Sequence, residues 1–159
     1  MAALVYLETS IISYLAAHPS RDLITAGRQQ LTHEWWRRRR SAFELVVSEL
    51  VHLEAADGDV FAARRRSEFL TGLRSLRVSA EAEQLAVELL RGAALPPKAR
   101  ADALHISIAA THGVAFLLTW NVRHIANAEK RSVVERIAGQ FGYSCPVLCT
   151  PDELLGEET

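Results

Sequence analysis

Short apolar runs alternate with longer amphipathic stretches along this chain. "LVYL" (4–7) predicts a strand, followed by Glu8-Thr9-Ser10, where a hydroxyl can cap a helix over "IISYLAA". Pro19-Ser20 ends that helix. A longer helix follows, with Leu23, Gly27, Leu31 and Trp35 spaced by four on one expected face, ending in Arg37, Arg38, Arg39 and Arg40. "AFELVVS" (42–48) predicts a second strand, and "ELVHLEAAD" a short helix that stops near Gly58. Asp59 is positioned to cap the helix "VFAARRRSEFLTGL", "RSLRVS" predicts a short strand, and Ser79 can cap a helix whose inner face holds Ala82, Leu85, Ala86, Leu89 and Ala93. After "LPP" comes an amphipathic helix over "ARADALHISIAATH", a turn at Gly113, and "AFLLT" (115–119), a continuously apolar run of the kind a parallel sheet buries on both faces. A helix near 129–140 and the strand "PVLC" follow. Thr150-Pro151-Asp152-Glu153 then combines a capping hydroxyl, proline at the first helical position and Glu for a capping box.

Strand–helix alternation at this spacing predicts an α/β fold with a mostly parallel sheet, in which function collects at the carboxyl ends of the strands. The 159 residues are enough for one domain, expected over 1–155, with a short acidic tail at 156–159. Eighteen basic against nineteen acidic side chains leave a net charge of −1, so nucleic-acid binding through a global basic field is excluded and local patches would have to supply it. No apolar run reaches the roughly 18 residues of a membrane span, and no secretory leader pattern is visible, so a cytoplasmic protein is expected. Cys145 and Cys149 would lie about 13 Å apart along a strand, beyond the roughly 7 Å that a disulfide spans. They are expected to be buried thiols in a reducing compartment.

Against this pattern, four oxygen-bearing residues fall near strand ends. Glu8 follows the first strand, Glu54 lies about two helical turns beyond the second, Asp102 opens the helix leading into "AFLLT", and Asn121 follows that strand. Parallel strands would let all four converge on one edge of the sheet. Three carboxylates so gathered repel one another unless a cation neutralises them. Hard cations such as Mg²⁺ or Mn²⁺ take oxygen ligands and can activate water against a phosphodiester. Each residue also has a simpler reading. Asp102 could complement a helix dipole, Glu54 could be solvated, Asn121 could make a local turn, and Glu49 competes as an acid at the second strand end.

The segments "VYLETSIISYL", "VVSELVHLEAADGD", "ADALHISIAATHGVAFLLTWN" and "VLCTPDELL", in this order, resemble the PIN-domain family, and within it the VapC-type toxins of bacterial toxin–antitoxin pairs. The resemblance runs nearly end to end. It implies a three-layer α/β/α PIN-like fold, Mg²⁺- or Mn²⁺-dependent ribonuclease activity on RNA, a cognate antitoxin protein as partner, and a homodimer. By motif it puts the catalytic positions on Glu8, Glu54, Asp102 and Asn121, with Glu8, Glu54 and Asp102 as metal ligands. Two positions depart from the family pattern: Glu8 stands where Asp is usual, and Asn121 where an acid is usual. Asn121 keeps an oxygen and loses a charge, so one tightly held metal is expected. Ser10 and Thr119 are candidates to hold the metal's water or a phosphate oxygen. With no histidine or lysine expected in the acid cluster, a metal-activated water is the expected nucleophile and a carboxylate its proton acceptor.

The six histidines are scattered, unlike a zinc site. His105 is expected to pack beside the acids, and His124 to reach RNA. Arg37, Arg38, Arg39 and Arg40 end a helix, where cations complement the dipole; they and Arg64, Arg65 and Arg66 could alternatively meet phosphates or an acidic stretch of an antitoxin. Trp35 and Trp36 differ by about 100° around their helix, so one is expected in the core and the other on a surface. Trp120 could stack on a base or wall off the site. Two other readings compete: a catalytically weak or inactive PIN-like protein that binds RNA or an antitoxin, and a phosphoacceptor receiver domain. The receiver reading fits poorly, because "YLETS" offers one acid and "VLCTP" no lysine.

Overall fold

Five parallel strands make the central sheet of the computed structural model, which describes residues 2–157. Glu158 and Thr159 of the expected acidic tail lie outside the described residues. In chain order the elements are β1 (Leu4–Leu7), α1 (Thr9–Ala16), α2 (Leu23–Arg39), β2 (Glu44–Ser48), α3 (Glu49–Ala55), α4 (Val60–Leu70) and β3 (Arg74–Leu76), then α5 (Ala80–Arg91), α6 (Arg100–Thr111), β4 (Phe116–Leu118), α7 (Arg131–Gln140) and β5 (Val147–Cys149). Short 3₁₀ turns cover Arg40–Ala42 and Pro151–Leu154.

The strand order is β3-β2-β1-β4-β5, and every neighbouring pair is parallel. Tyr6 sits in register with Val46 on one side and Leu117 on the other. The chain first steps from β1 to β2 to β3, then crosses back to β4 and β5. Right-handed crossovers in opposite directions put helices on opposite faces. Accordingly α1, α3 and α4 pack together, and α5 packs with α6 and α7. Strand residues Val5, Tyr6, Leu7, Val46, Val47, Leu117 and Leu118 are wholly buried between these layers, as an all-parallel sheet requires.

Local chemistry starts the helices where polar residues precede apolar periodicity. Ser48, Asp59 and Ser79 accept from the backbone N–H groups of Val51, Ala62 and Ala82. Thr150 and Glu153 form the expected capping box, although the turn they open is a four-residue 3₁₀ turn. Arginines close two helix ends: Arg65 donates to the Ala16 carbonyl at the end of α1, and Arg66 to the Ala55 and Asp57 carbonyls beyond α3. These two are thereby engaged in joining α4 to α1 and α3. Both cysteines are free, and burial, with nearby acidic side chains, pushes both thiols up to about 12.

Two expected faces differ in the structure. Leu23 and Ile24 at the start of α2 are 88% and 70% exposed, while Gln29, Thr32 and Trp35 form its buried stripe. A four-residue spacing drifts by about 40° per step around an α-helix, so a row begun at Leu23 turns inward gradually, with Leu31 partly buried and Trp35 fully so. There Trp35 stacks on Phe43, ring centroids 6.2 Å apart. Trp36, by contrast, meets Phe69 edge-on and is only partly buried. Ala93 is not on the inner face of α5. The helix stops at Arg91, and the Ala93 and Ala94 N–H groups turn back to the carbonyls of Leu90 and Leu89. That Schellman-type closure puts Ala93 at φ +58°, where a β-carbon is strained. Ala93→Gly is therefore expected to stabilise the fold by about 0.5–1 kcal/mol, the relief of strain exceeding the entropy added to the unfolded chain. Thermal and urea unfolding of the two proteins check this, with a raised midpoint as the expected result.

Candidate metal centre

The site lies where the strand order reverses, at the carboxyl ends of β1 and β4. Glu8 is the first residue past β1, and its N–H bonds across the junction to the Leu118 carbonyl at 3.0 Å. It is the N-cap residue of α1, yet its side chain makes no capping bond and turns to the sheet edge. There the carboxylate is only 7% exposed. Its Oε1 accepts from the hydroxyls of Ser10 at 2.5 Å and Thr119 at 2.6 Å. Each hydroxyl is itself oriented by a backbone donor from the chain leaving β4. The Trp120 N–H points at Ser10 Oγ (2.8 Å) and the Asn121 N–H at Thr119 Oγ1 (2.9 Å).

Glu54 arrives from the other side of β1. Ser48 ends β2 and caps α3, and that helix brings Glu54 over the end of β1. Glu54 Oε1 accepts from the Thr9 hydroxyl at 2.5 Å and pairs with His105 Nε2 at 2.6 Å. His105 is 1% exposed on α6. Its Nδ1 lies 2.7 Å from the Tyr6 hydroxyl, which lies 2.7 Å from Ser48 Oγ, which in turn accepts from the Val51 N–H. A buried chain thus runs from the start of α3 through β1 to the ring that meets Glu54. Burial raises the Glu54 carboxyl's proton affinity. The hydrogen bond and charge of His105, with the Thr9 hydroxyl, outweigh burial and hold it below the ordinary carboxylate value. Burial keeps the Tyr6 hydroxyl protonated far above the normal range.

One oxygen of each carboxylate is thus held by two donors. Among the described residues, Oε2 of Glu8 and Oε2 of Glu54 take no hydrogen bond. Nor does Lys or Arg pair with either acid among those residues; His105 alone does. One donor atom each from Glu8, Glu54 and His105 lie within 4.8 Å of one another. A buried and a half-buried carboxylate, each with a free oxygen and neither paired with Lys or Arg among the described residues, fit a divalent cation, because such charge is costly to leave uncompensated.

Asp102 and Asn121 come together through another residue. Asp102 Oδ2 lies 2.9 Å from His124 Nδ1, and Asn121 Oδ1 accepts the His124 N–H at 3.0 Å. This pair adjoins the carboxylates: Asp102 is one turn before His105 on α6, and Asn121 bonds Thr119. Trp120 is 8% exposed, its indole N–H donates to Thr32, and Arg28 lies over its ring. The ring packs against Tyr14, its centroid 6.0 Å away. Glu49 accepts from the Val78 N–H, away from the acids. Of the four arginines ending α2, Arg38 pairs with Glu34, Arg39 lies over Phe43 and Arg40 over Trp36, while Arg37 is exposed.

His105 packs beside the acids as expected, but it also bonds Glu54 directly, so the cluster contains a histidine that was not expected within it. A signal was present in "ADALH": a residue three after Asp102 shares its helix face, and an imidazole in a buried stripe needs polar partners.

No protein-family model and no curated protein matches this sequence. A solved structure does. A chain in the crystal structure of VapBC2 from Rickettsia felis, bound to a DNA fragment from their promoter, superposes with a TM-score of 0.55. Sequence identity is 17%, over 76% of this chain and 89% of that one. The fold is PIN-like. At that identity the likeness concerns the arrangement of strands and helices, and the chemistry rests on the residues themselves.

The lowered carboxyl of Glu54 has a definite pH signature in metal-free protein. A depressed folded value means that its contribution to stability is fully present above the ordinary 4.5 and is lost as pH falls through the lower folded value. Urea unfolding of wild type and Glu54→Gln in chelator, from pH 7 downwards, is expected to show a constant gap above pH 4.5 that narrows below it. A gap that widens on acidification would contradict this sign.

Proposed function

We propose that this chain is a divalent-metal-dependent endoribonuclease, the toxin of a toxin–antitoxin pair, hydrolysing RNA phosphodiester bonds with a metal-activated water. The observation that carries this reading is the pair of carboxylates, Glu8 buried and Glu54 half-buried, each held through one oxygen and open at the other. The PIN-like fold and the likeness to a VapBC2 chain support it.

A bound Mg²⁺ or Mn²⁺ would neutralise the acids, lower the proton affinity of an attacking water and stabilise charge developing on the phosphodiester. In this reading Glu8, Glu54 and Asp102 hold the cation, and the Asn121 oxygen helps orient the water. Ser10 and Thr119 fix the Glu8 carboxylate by donating to it. A free carboxylate oxygen accepts the water's proton. His124, bonded to Asp102, faces the RNA side, and Trp120 excludes solvent behind Ser10. The exposed Arg37, with its three neighbours, offers contact to phosphate or to an acidic segment of an antitoxin protein. A homodimer acting in the cytoplasm completes the proposal.

One observation favours a second reading, a catalytically weak PIN-like protein that binds RNA or an antitoxin. His124 occupies both Asp102 and Asn121, so those two oxygens have partners without a metal.

Incubation of purified protein with RNA in Mn²⁺, in Mg²⁺ and in chelator separates the two. Cleavage is expected only with metal, and Glu8→Gln or Asp102→Asn should lower its rate by about two orders of magnitude. Cleavage that persists in chelator sinks the metal mechanism. RNA binding without cleavage in any metal assigns the second reading.

A further inference from the structure

We propose that His105 is itself a ligand of the metal, through Nε2, so that Glu8, Glu54 and His105 form a mixed oxygen–nitrogen site selective for a first-row transition dication over Mg²⁺. This rests on the reading that the carboxylates bind a cation, and it differs from that reading in the donor set.

The ring nitrogen is placed for it. His105 Nε2 stands 2.6 Å from Glu54 Oε1 and 4.0 Å from Glu8 Oε2. Donors on a common ion with bonds of about 2.1 Å lie no more than about 4.2 Å apart, so the longer separation already fits and the shorter one needs only a small opening. A histidine in a helix core is ordinarily satisfied by a hydroxyl or a carbonyl. Here Nδ1 has such a partner in Tyr6, whereas Nε2 meets a carboxylate, Glu54, with a second carboxylate, Glu8, 4.0 Å away. The nearest of these to lack a donor, Glu8 Oε2, belongs to a side chain more than nine-tenths buried.

The support behind the ring suits both states. Without metal, the carboxylate of Glu54 can only accept, so Nε2 donates to it, while Nδ1 stands 2.7 Å from the Tyr6 hydroxyl. A metal on Nε2 would leave a ring proton on Nδ1. Nδ1–H then donates to the Tyr6 oxygen, and the Tyr6 hydroxyl turns to donate to Ser48. The Tyr6 hydroxyl can reverse in this way because it both donates and accepts, and Ser48, which already accepts the Val51 N–H, has a second lone pair to take it. A ligating histidine whose other nitrogen donates to a fixed partner is the usual second shell of a metal site.

The donor set determines selectivity. Mg²⁺ prefers oxygen and keeps its waters, whereas an imidazole nitrogen strengthens binding of transition ions. Asp102 is left to hold His124, the contact it already makes.

Pulsed electron paramagnetic resonance of the Mn²⁺-loaded protein tests this directly. Wild type is expected to show nitrogen-14 coupling that disappears in His105→Gln, a variant that keeps an oxygen donor. By calorimetric competition, Mn²⁺ should bind wild type at least about tenfold tighter than Mg²⁺, with that ratio reduced in His105→Gln. Tyr6→Phe, which leaves Nδ1–H without an acceptor, should weaken Mn²⁺ binding by about tenfold while nitrogen coupling remains. Mn²⁺ bound with no nitrogen coupling in wild type overturns the ligand assignment and leaves a carboxylate-only site. Coupling that survives in His105→Gln also overturns it, by giving the nitrogen to another residue. No Mn²⁺ bound to wild type overturns this inference together with the metal reading of the site.

Discussion

The parallel pairing of β1 with β4 is the constraint on which the rest depends. It joins the first strand of the chain to one laid down more than a hundred residues later, and it reverses the direction in which the sheet grows. The Glu8 N–H bond to Leu118 extends that pairing one residue beyond the strand. Past this junction the chains leaving β1 and β4 stay joined, by the Thr119 hydroxyl to Glu8 and the Trp120 N–H to Ser10. Helices from both faces, α3 from one and α6 from the other, bring Glu54 and His105 over the same edge.

The polar network there is ordered outwards from backbone groups whose direction is fixed. The N–H groups of Trp120 and Asn121 orient two hydroxyls on Glu8, and the Val51 N–H orients Ser48, Tyr6 and finally His105 on Glu54. Each carboxylate is thereby immobilised through one oxygen without being neutralised. A salt bridge to Lys or Arg would have satisfied the charge and closed the site. Hydroxyl donors, joined on Glu54 by the His105 ring, hold geometry and leave the second oxygen of each carboxylate open.

Much of this was legible in local patterns. The caps at Asp59, Ser79 and Thr150 act within a few residues, and β1 and β4 are apolar runs, so both follow from short windows of sequence. The α2 face and Ala93 were misread for reasons equally local. A spacing of four drifts around a helix, and a helix end may close through an alanine at positive φ when no glycine stands there. The arginine runs were legible only as charge. That Arg65 and Arg66 secure helix ends while Arg39 and Arg40 cover aromatic rings depends on neighbours from other elements.

By itself, then, the sequence determined the alternation of strands and helices, the polar residues that start the helices, and the position of Glu8 directly after a buried strand. Those depend on interactions over a few residues. Only the tertiary structure decided that Glu54 and His105, 51 residues apart, share a hydrogen bond, and that Tyr6 supports a ring 99 residues away. It also decided that Asp102 and Asn121 meet through His124. These contacts depend on strand order and on the face each crossover takes. Both are set by how the whole core packs, which no local window of apolar and polar residues contains.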